Sequence, residues 1–310
     1  MTSQNKALIL VGPTASGKTA VSLAIAELMP SEILSADSRQ LFRHMDIGTA
    51  KPTREERDKV QHYGIDLCEP SDYFSAGEYS KYGRKIIDDI IARNHTPIVV
   101  GGSGLYIQAL VEGIFTGNYR DSNVRNRLKA TIVENGIEYS YKRLQSIDPD
   151  YAEKIHPNDS KRIVRALEVY ELTGQPFSTC HERTVRAEFT PVYFGLLWSR
   201  EQLVQRIHQR VDQMIEAGLV DEVQSLLDAG HSPELNSLNS VGYKEIIAYL
   251  QKERSLKEAI ELIKRNTRRF SKRQMTWFRK NPAIHWIECQ DDVDWSMCAQ
   301  MIVDHYMKSF

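Results

Sequence analysis

L-I-L-V-G-P-T-A-S-G-K-T, Leu8 to Thr19, decides the fold: an apolar run, a glycine turn, and a Lys-Thr pair opening the helix-like stretch Ala20 to Met29. The pattern G-x-x-x-x-G-K-[ST] between a strand and a helix is the phosphate-cradling P-loop in its confirming context. Gly12 and Gly17 permit backbone conformations closed to other residues, so the loop Gly12, Pro13, Thr14, Ala15, Ser16, Gly17 can turn consecutive N–H groups on one anion. The helix that starts there adds its positive end, Lys18 adds a full charge, and Thr19 can place its hydroxyl on a magnesium ion carried by the phosphates. The loop specifies a diphosphate or triphosphate and does not say whether a nucleotide carries it.

Working outward, the helix stops at Pro30, and Glu32 to Ala36 reads as a second strand ending in Asp37, Ser38, Arg39 and Gln40. In a doubly wound sheet ligands sit outside the carboxyl ends of the strands, so Asp37 is expected to face the crevice that Lys18 faces, as a base or metal partner. The plain alternative is an Asp that caps the next turn. Met45 to Pro52 is a loop punctuated by Gly and Pro, Ser75 to Glu78 is a capping box opening a helix to about Asn94, and Pro97 to Val100 is a short buried strand. It ends in Gly101-Gly102-Ser103-Gly104, a second glycine turn with a hydroxyl at a strand's carboxyl end. The β-α-β-α-β order predicts an α/β fold, a P-loop NTPase-like parallel sheet with helices on both faces. Alternation stops near Gly117. Asp121 to Glu182 shows helix-like stretches at 122–135, 137–147 and 160–173, which places an all-helical insertion over 121–189 and the core domain over 1–120 and 190–310. Pro191 to Trp198 returns to a strand pattern. A helix over 200–216 follows with Leu203, Ile207, Val211 and Met214 as its apolar stripe, and with Arg200 and Arg206 near the ligand side.

The 310 residues, 41% hydrophobic and 26% charged, suffice for a full core. No twenty-residue apolar span and no signal-peptide h-region are present, which leads us to expect a cytoplasmic protein without a membrane partner. Cys68, Cys180, Cys289 and Cys298 are far apart with no C-x-x-C, so neither a disulfide framework nor a zinc site is indicated. The net charge of −1 conceals a local excess. Residues 264–280 carry eight Lys or Arg and no Asp or Glu, against 32 basic and 41 acidic side chains elsewhere. On a helix, Arg265, Arg268, Arg269, Lys272, Arg279 and Lys280 fall on one half, and Phe270, Trp277 and Phe278 on the other. A solvated charged face carries both signs, so this one reads as a phosphate-backbone clamp, with the aromatics as core anchors. From these residues alone a small-molecule kinase and a non-catalytic P-loop RNA-binding switch both stay open, although no N-K-x-D motif supports a GTPase.

G-P-T-A-S-G-K-T at 12–19, D-S-R-Q at 37–40, M-D-I-G-T-A-K-P at 45–52, G-G-S-G-L-Y at 101–106, H-P-N-D-S-K-R at 156–162, V-G-Y-K-E at 241–245 and K-R-Q-M-T-W-F-R at 272–279 together resemble the tRNA dimethylallyltransferases, or tRNA isopentenyltransferases, in order and over nearly the whole chain. Ser103 stands where the family often has Thr, and Ser240-Val241 where it often has Ala-Ile. No zinc-finger extension follows, so the likeness is to the bacterial form. The resemblance implies transfer of a dimethylallyl group from dimethylallyl diphosphate to N6 of the adenosine 3′-adjacent to the anticodon. Asp37 would take the N6 proton, and Ser103 would position the base or the diphosphate. Lys18, Thr19 with Mg²⁺, and an arginine, Arg206 before Arg200, would meet the leaving diphosphate. The adenine must be flipped out of its stack, and Gln40 could read its edge. The anticodon stem-loop would be held by Asp37 to Gln40, Arg125, the run Lys161, Arg162, Ile163, Val164, Arg165, and the run Asn239, Ser240, Val241, Gly242, Tyr243, Lys244. The helix positions Lys272, Arg273, Gln274, Met275, Thr276, Trp277, Phe278 and Arg279 would complete the grip. No obligate protein partner is indicated, and a monomer is expected.

Overall fold

The apolar run before the glycine turn becomes β1 (Lys6–Val11), buried at every position. A computed structural model of the chain describes residues 5–114, 119–181 and 185–309. The other strands are β2 (Ser31–Ser35), β3 (His62–Tyr63), β4 (Thr96–Gly101), β5 (Thr190–Leu197) and β6 (Ile284–Glu288). They form one sheet in the order β3-β2-β4-β1-β5-β6, every pair parallel. Strands covered on both faces read as continuous apolar runs, which is why Leu8 to Val11 and Ile98 to Val100 lack alternation. Val11 is in register with Gly101 on one side and Gly195 on the other, and Ser35 with Val100. The strands therefore end level, and the segments after β1, β2, β4 and β5 emerge on one edge.

The helix Lys18–Leu28 packs on the C-terminal helix Trp295–Lys308, and the helices Arg200–Glu216 and Leu256–Phe278 pack on each other. The edge strands β3 and β6 escape sequence analysis, β3 because two residues carry no period.

The chain divides into two compact units, Met1–Val111 with Ala187–Phe310, and Glu112–Arg186. The second unit consists of helices at Ser122–Asn135, Ile137–Ile147, Pro149–Glu153, Ser160–Thr173 and Phe177–His181. The two five-residue helices are too short to show periodicity, and the point near Gly117 where alternation stops lies outside the described residues. Leu128, Leu144, Ile163, Val164 and Leu167 form its core. The fully buried Glu168 carboxylate accepts hydrogen bonds from Arg125 at 2.6 Å and Arg165 at 3.0 Å, which balances a charge that would otherwise be costly to bury. No helix among the described residues is long and apolar enough to cross a membrane.

Candidate active site

A cavity of about 960 Å³ opens at the carboxyl edge of the sheet, lined by Thr14 to Thr19 and by Asp37, Gln40, Gly101, Gly102, Arg206, Arg210 and Gln274 among others. The P-loop is braced by contacts of its own. Lys18 Nζ donates to the carbonyls of Gly12 at 3.0 Å and Pro13 at 2.7 Å, so these two residues contribute acceptors that hold the lysine. Gly17 has a φ of 94° and faces the Trp295 ring, which an ideal Cβ would approach to 2.2 Å; a side chain here fails on both counts. Ala15 also lies in the left-handed region, at 64°, a strain that marks the loop as shaped for a purpose other than stability. Burial pushes the Lys18 ammonium down to about 7; the charge of Arg210 pushes the same way and Asp37 opposes both.

Asp37 follows β2 on the same edge. Its Oδ1 accepts from the Arg39 N–H at 2.8 Å, the local cap of the plain alternative, while the residue still lines the cavity. Ser103 acts one step away from its expected place. Its Oγ accepts from the Ser38 N–H at 3.0 Å and donates to Ser38 Oγ at 3.3 Å, so the hydroxyl ties the glycine turn after β4 to the Asp37 loop. Gln40 lines the cavity but is committed within the protein: it accepts from Ser35 Oγ at 2.8 Å and donates to the Ala50 carbonyl at 3.0 Å. Its carboxamide secures the 45–52 loop while the residue stays on the cavity wall. Glu222 completes that loop by accepting from the N–H groups of Asp46, Ile47 and Gly48.

Gln274 points inward from the basic helix and is buried. Its Oε1 accepts from the Thr14 N–H at 2.9 Å and its Nε2 donates to the Gly102 carbonyl at 3.0 Å, joining the P-loop to the second glycine turn. A Cβ on Gly102 would lie 2.2 Å from Nε2, so the glycine makes room for this bridge. Gln274→Met, which keeps the shape and orphans the Thr14 N–H and the Gly102 carbonyl, should weaken binding of inorganic diphosphate about tenfold, the equivalent of one lost hydrogen bond, in isothermal titration.

Of the three arginines on the 200–216 helix, Arg200 is exposed and does not reach the cavity. Arg206 does. Its Nε donates to the Ala15 carbonyl at 2.9 Å, and its guanidinium lies 4.2 Å from the Trp198 ring centroid and 5.7 Å from that of Trp295. Arg210, one turn further, lines the cavity within electrostatic reach of Lys18 and Asp37. Nothing in the sequence singles it out beyond the i, i+4 spacing from Arg206, which puts both on one helix face.

The residues expected to hold RNA divide by exposure. Lys161, Arg162, Asn239, Lys244, Lys272, Arg273, Thr276 and Arg279 are exposed. Ile163 and Val164 are core residues of the helical unit, and Gly242 and Tyr243 are buried, with the Tyr243 hydroxyl donating to Glu222 at 2.6 Å. These four are structural. The aromatics of the basic helix also depart from expectation: Phe278 is a core anchor at 4% exposure, but Phe270 at 39% and Trp277 at 40% are not. The buried positions between Phe270 and Trp277 are Ser271 and Gln274, polar side chains, because the helix borders a cavity and not only a core.

Comparison with known proteins covers almost all of the chain. The family model described as IPP transferase matches residues 40–281. The tRNA dimethylallyltransferase of Alkaliphilus metalliredigens is 46% identical over 93% of this chain and 93% of its own length, and that of Pelotomaculum thermopropionicum is 45% identical over 97% and 98%. Among solved structures, the tRNA isopentenylpyrophosphate transferase of Bacillus halodurans matches with a TM-score of 0.73 at 39% identity over 98% of this chain and 96% of its own. A eukaryotic dimethylallyltransferase acting on tRNA matches with a TM-score of 0.83 at 27% identity over 98% and 80%.

Proposed function

We propose a reaction from the premise that the chain belongs to the IPP transferase family: it moves the dimethylallyl group of dimethylallyl diphosphate to N6 of the adenosine 3′-adjacent to the anticodon in tRNA and releases diphosphate. The observation that carries this reading is one cavity holding the Asp37 carboxylate together with Lys18, Arg206 and Arg210 on the P-loop edge. A phosphotransfer reading is not favoured, because the relatives named above are prenyltransferases.

The adenine amino group is a weak nucleophile, so the reaction depends on an allylic carbon held in line and on a leaving group whose growing charge is met in advance. Lys18, Arg206, Arg210 and the N–H groups of the loop supply that charge without reorganisation. Asp37, fixed through Arg39 and the Ser38–Ser103 contact, accepts the N6 proton. Magnesium fits the hard oxygen donors present: the Thr19 hydroxyl lines the cavity, and Ser16 Oγ is buried there with no hydrogen-bond partner among the described residues. Those residues contain no cluster of three His, Cys, Asp or Glu for a metal, so Thr19 and the diphosphate oxygens would hold the ion, which neutralises the leaving group when bound. The protein acts as a monomer in the cytoplasm, on the anticodon stem-loop.

Lys18 gives the donor step a pH signature. With its free-state value near 7, the lysine is largely neutral in alkali and must take up a proton when the anion binds. The affinity for dimethylallyl diphosphate in metal-free buffer should hold below about pH 7 and fall by up to about tenfold per unit above it. A flat profile from about pH 7 to about pH 9 would remove Lys18 from the diphosphate site. The reaction itself is tested by incubating the protein and Mg²⁺ with unmodified tRNA and radiolabelled dimethylallyl diphosphate. Label on adenosine N6 is the expected result, and its absence with phosphate released from ATP would point to a kinase.

A further inference from the structure

We propose that Trp198 is a positioning residue for the diphosphate: its ring face fixes the Arg206 guanidinium on the P-loop and leaves that charge uncancelled. This rests on the reaction proposed above. Trp198 stands between the end of β5 and Ser199, whose hydroxyl caps the helix that carries Arg206. It is buried, and its indole Nε1 donates to the Ser16 carbonyl at 2.9 Å, so the edge of the ring is tied to the loop. The face of the ring meets the guanidinium at 4.2 Å from the centroid, inside the range of a cation–π contact. Arg206 Nε is bound in turn to the Ala15 carbonyl. Ala15, Ser16 and Arg206 all line the cavity that holds Asp37 and Lys18.

The kind of partner matters for the chemistry. A carboxylate would hold an arginine as firmly, but it would offset the positive charge that a departing diphosphate has to meet. An indole face attracts the cation through its quadrupole and carries no net charge. The guanidinium is therefore oriented without being neutralised. Burial works against its charge more than Cys289 or Asp291 favours it, and the ring face offsets part of that cost. A second ring reaches the guanidinium from the C-terminal helix. The Trp295 centroid lies 5.7 Å from it and 6.3 Å from the Trp198 centroid, and the Trp295 ring packs where a Cβ on Gly17 would stand. A rotamer of Arg206 that left the loop would give up both faces. Holding a long side chain in place before the ligand arrives removes an ordering cost from binding.

A double-mutant cycle in the full-length protein tests this, with inorganic diphosphate as the probe in metal-free isothermal titration. Trp198→Leu loses the π face and the indole N–H and should bind diphosphate about tenfold more weakly; Trp198→Phe keeps a weaker face and should lose about threefold. Arg206→Met alone should lose about 10- to 10²-fold. In that background each Trp198 substitution should change affinity by less than about 1.5-fold, because no guanidinium remains for the ring to hold. In transfer assays the KM for tRNA should stay within about twofold in both Trp198 variants. Equal losses with and without Arg206 overturn the proposal, since they mark a residue that supports the loop through Ser16 alone. Unchanged diphosphate affinity in Trp198→Leu, or in Trp198→Phe where leucine prevents folding, overturns it too. A raised KM for tRNA with diphosphate affinity intact does the same. A wild type that binds diphosphate and transfers no prenyl group removes the proposed reaction, while the cycle still decides the role of Trp198.

Discussion

Replacing Asp37 by asparagine is expected to slow single-turnover transfer by about 10²- to 10⁴-fold, the range for losing a positioned general base, without weakening the diphosphate donor. The isosteric change isolates the proton-accepting role. The carboxamide oxygen of the Asp37→Asn variant would still accept the Arg39 N–H, so the turn that holds the side chain survives. The charge does not. Asp37 raises the proton affinity of Lys18, so the variant's lysine gives up its proton more readily. Donor binding is compared on the acid side of the wild-type transition near pH 7, where Lys18 and Arg210 both stay charged with less negative charge between them. Donor affinity should therefore stay level or tighten while the chemical step fails, a split that a general loss of structure cannot produce. The measurement pairs rapid-quench transfer rates with equilibrium binding of dimethylallyl diphosphate. A rate within a few-fold of wild type would assign the proton to another group, and weakened donor binding would make Asp37 part of the diphosphate site.

The parts of this site legible in the sequence are those set by local chemistry. The P-loop announces itself because glycine, lysine and threonine must follow a strand and precede a helix within a single short loop. Asp37 and the second glycine turn follow from the rule that strands of a doubly wound sheet present their carboxyl ends to the ligand. What stays hidden depends on side chains that find backbone partners far along the chain. Nothing near Gln274 announces that it joins Thr14 to Gly102, and the carboxamide of Gln40 and the hydroxyl of Ser103 are likewise absorbed by hydrogen bonds that only the fold creates. The aromatic side chains of the basic helix mislead for a different reason. Helical periodicity separates faces but does not say whether a face meets a core or the rim of a cavity, so Phe278 and Trp277 read alike although only the first is buried. Arg210 is not singled out for want of the same geometry, since its position matters only once the helix is known to lie over the P-loop.

Arg210→Met should lower the transfer rate by about 10²- to 10³-fold, the cost of removing one preorganised partner of a developing anion, whereas Arg200→Met should leave it unchanged. The two arginines lie on the same helix, and only Arg210 lines the cavity; Arg200 is exposed. Methionine preserves the length and packing of the stem, so the comparison reads the guanidinium. A second effect identifies where that guanidinium acts. Arg210 is one of the influences that depress Lys18, after burial, and without it the lysine should hold its proton to higher pH. The alkaline fall in donor affinity should accordingly start above its wild-type position near pH 7, even as the plateau affinity drops with the lost charge. Loss of rate with an unmoved pH profile would place Arg210 away from Lys18, toward the RNA. Unaltered rate and profile together would return the leaving diphosphate to Lys18, Arg206 and the loop N–H groups, with Arg210 serving only to line the wall.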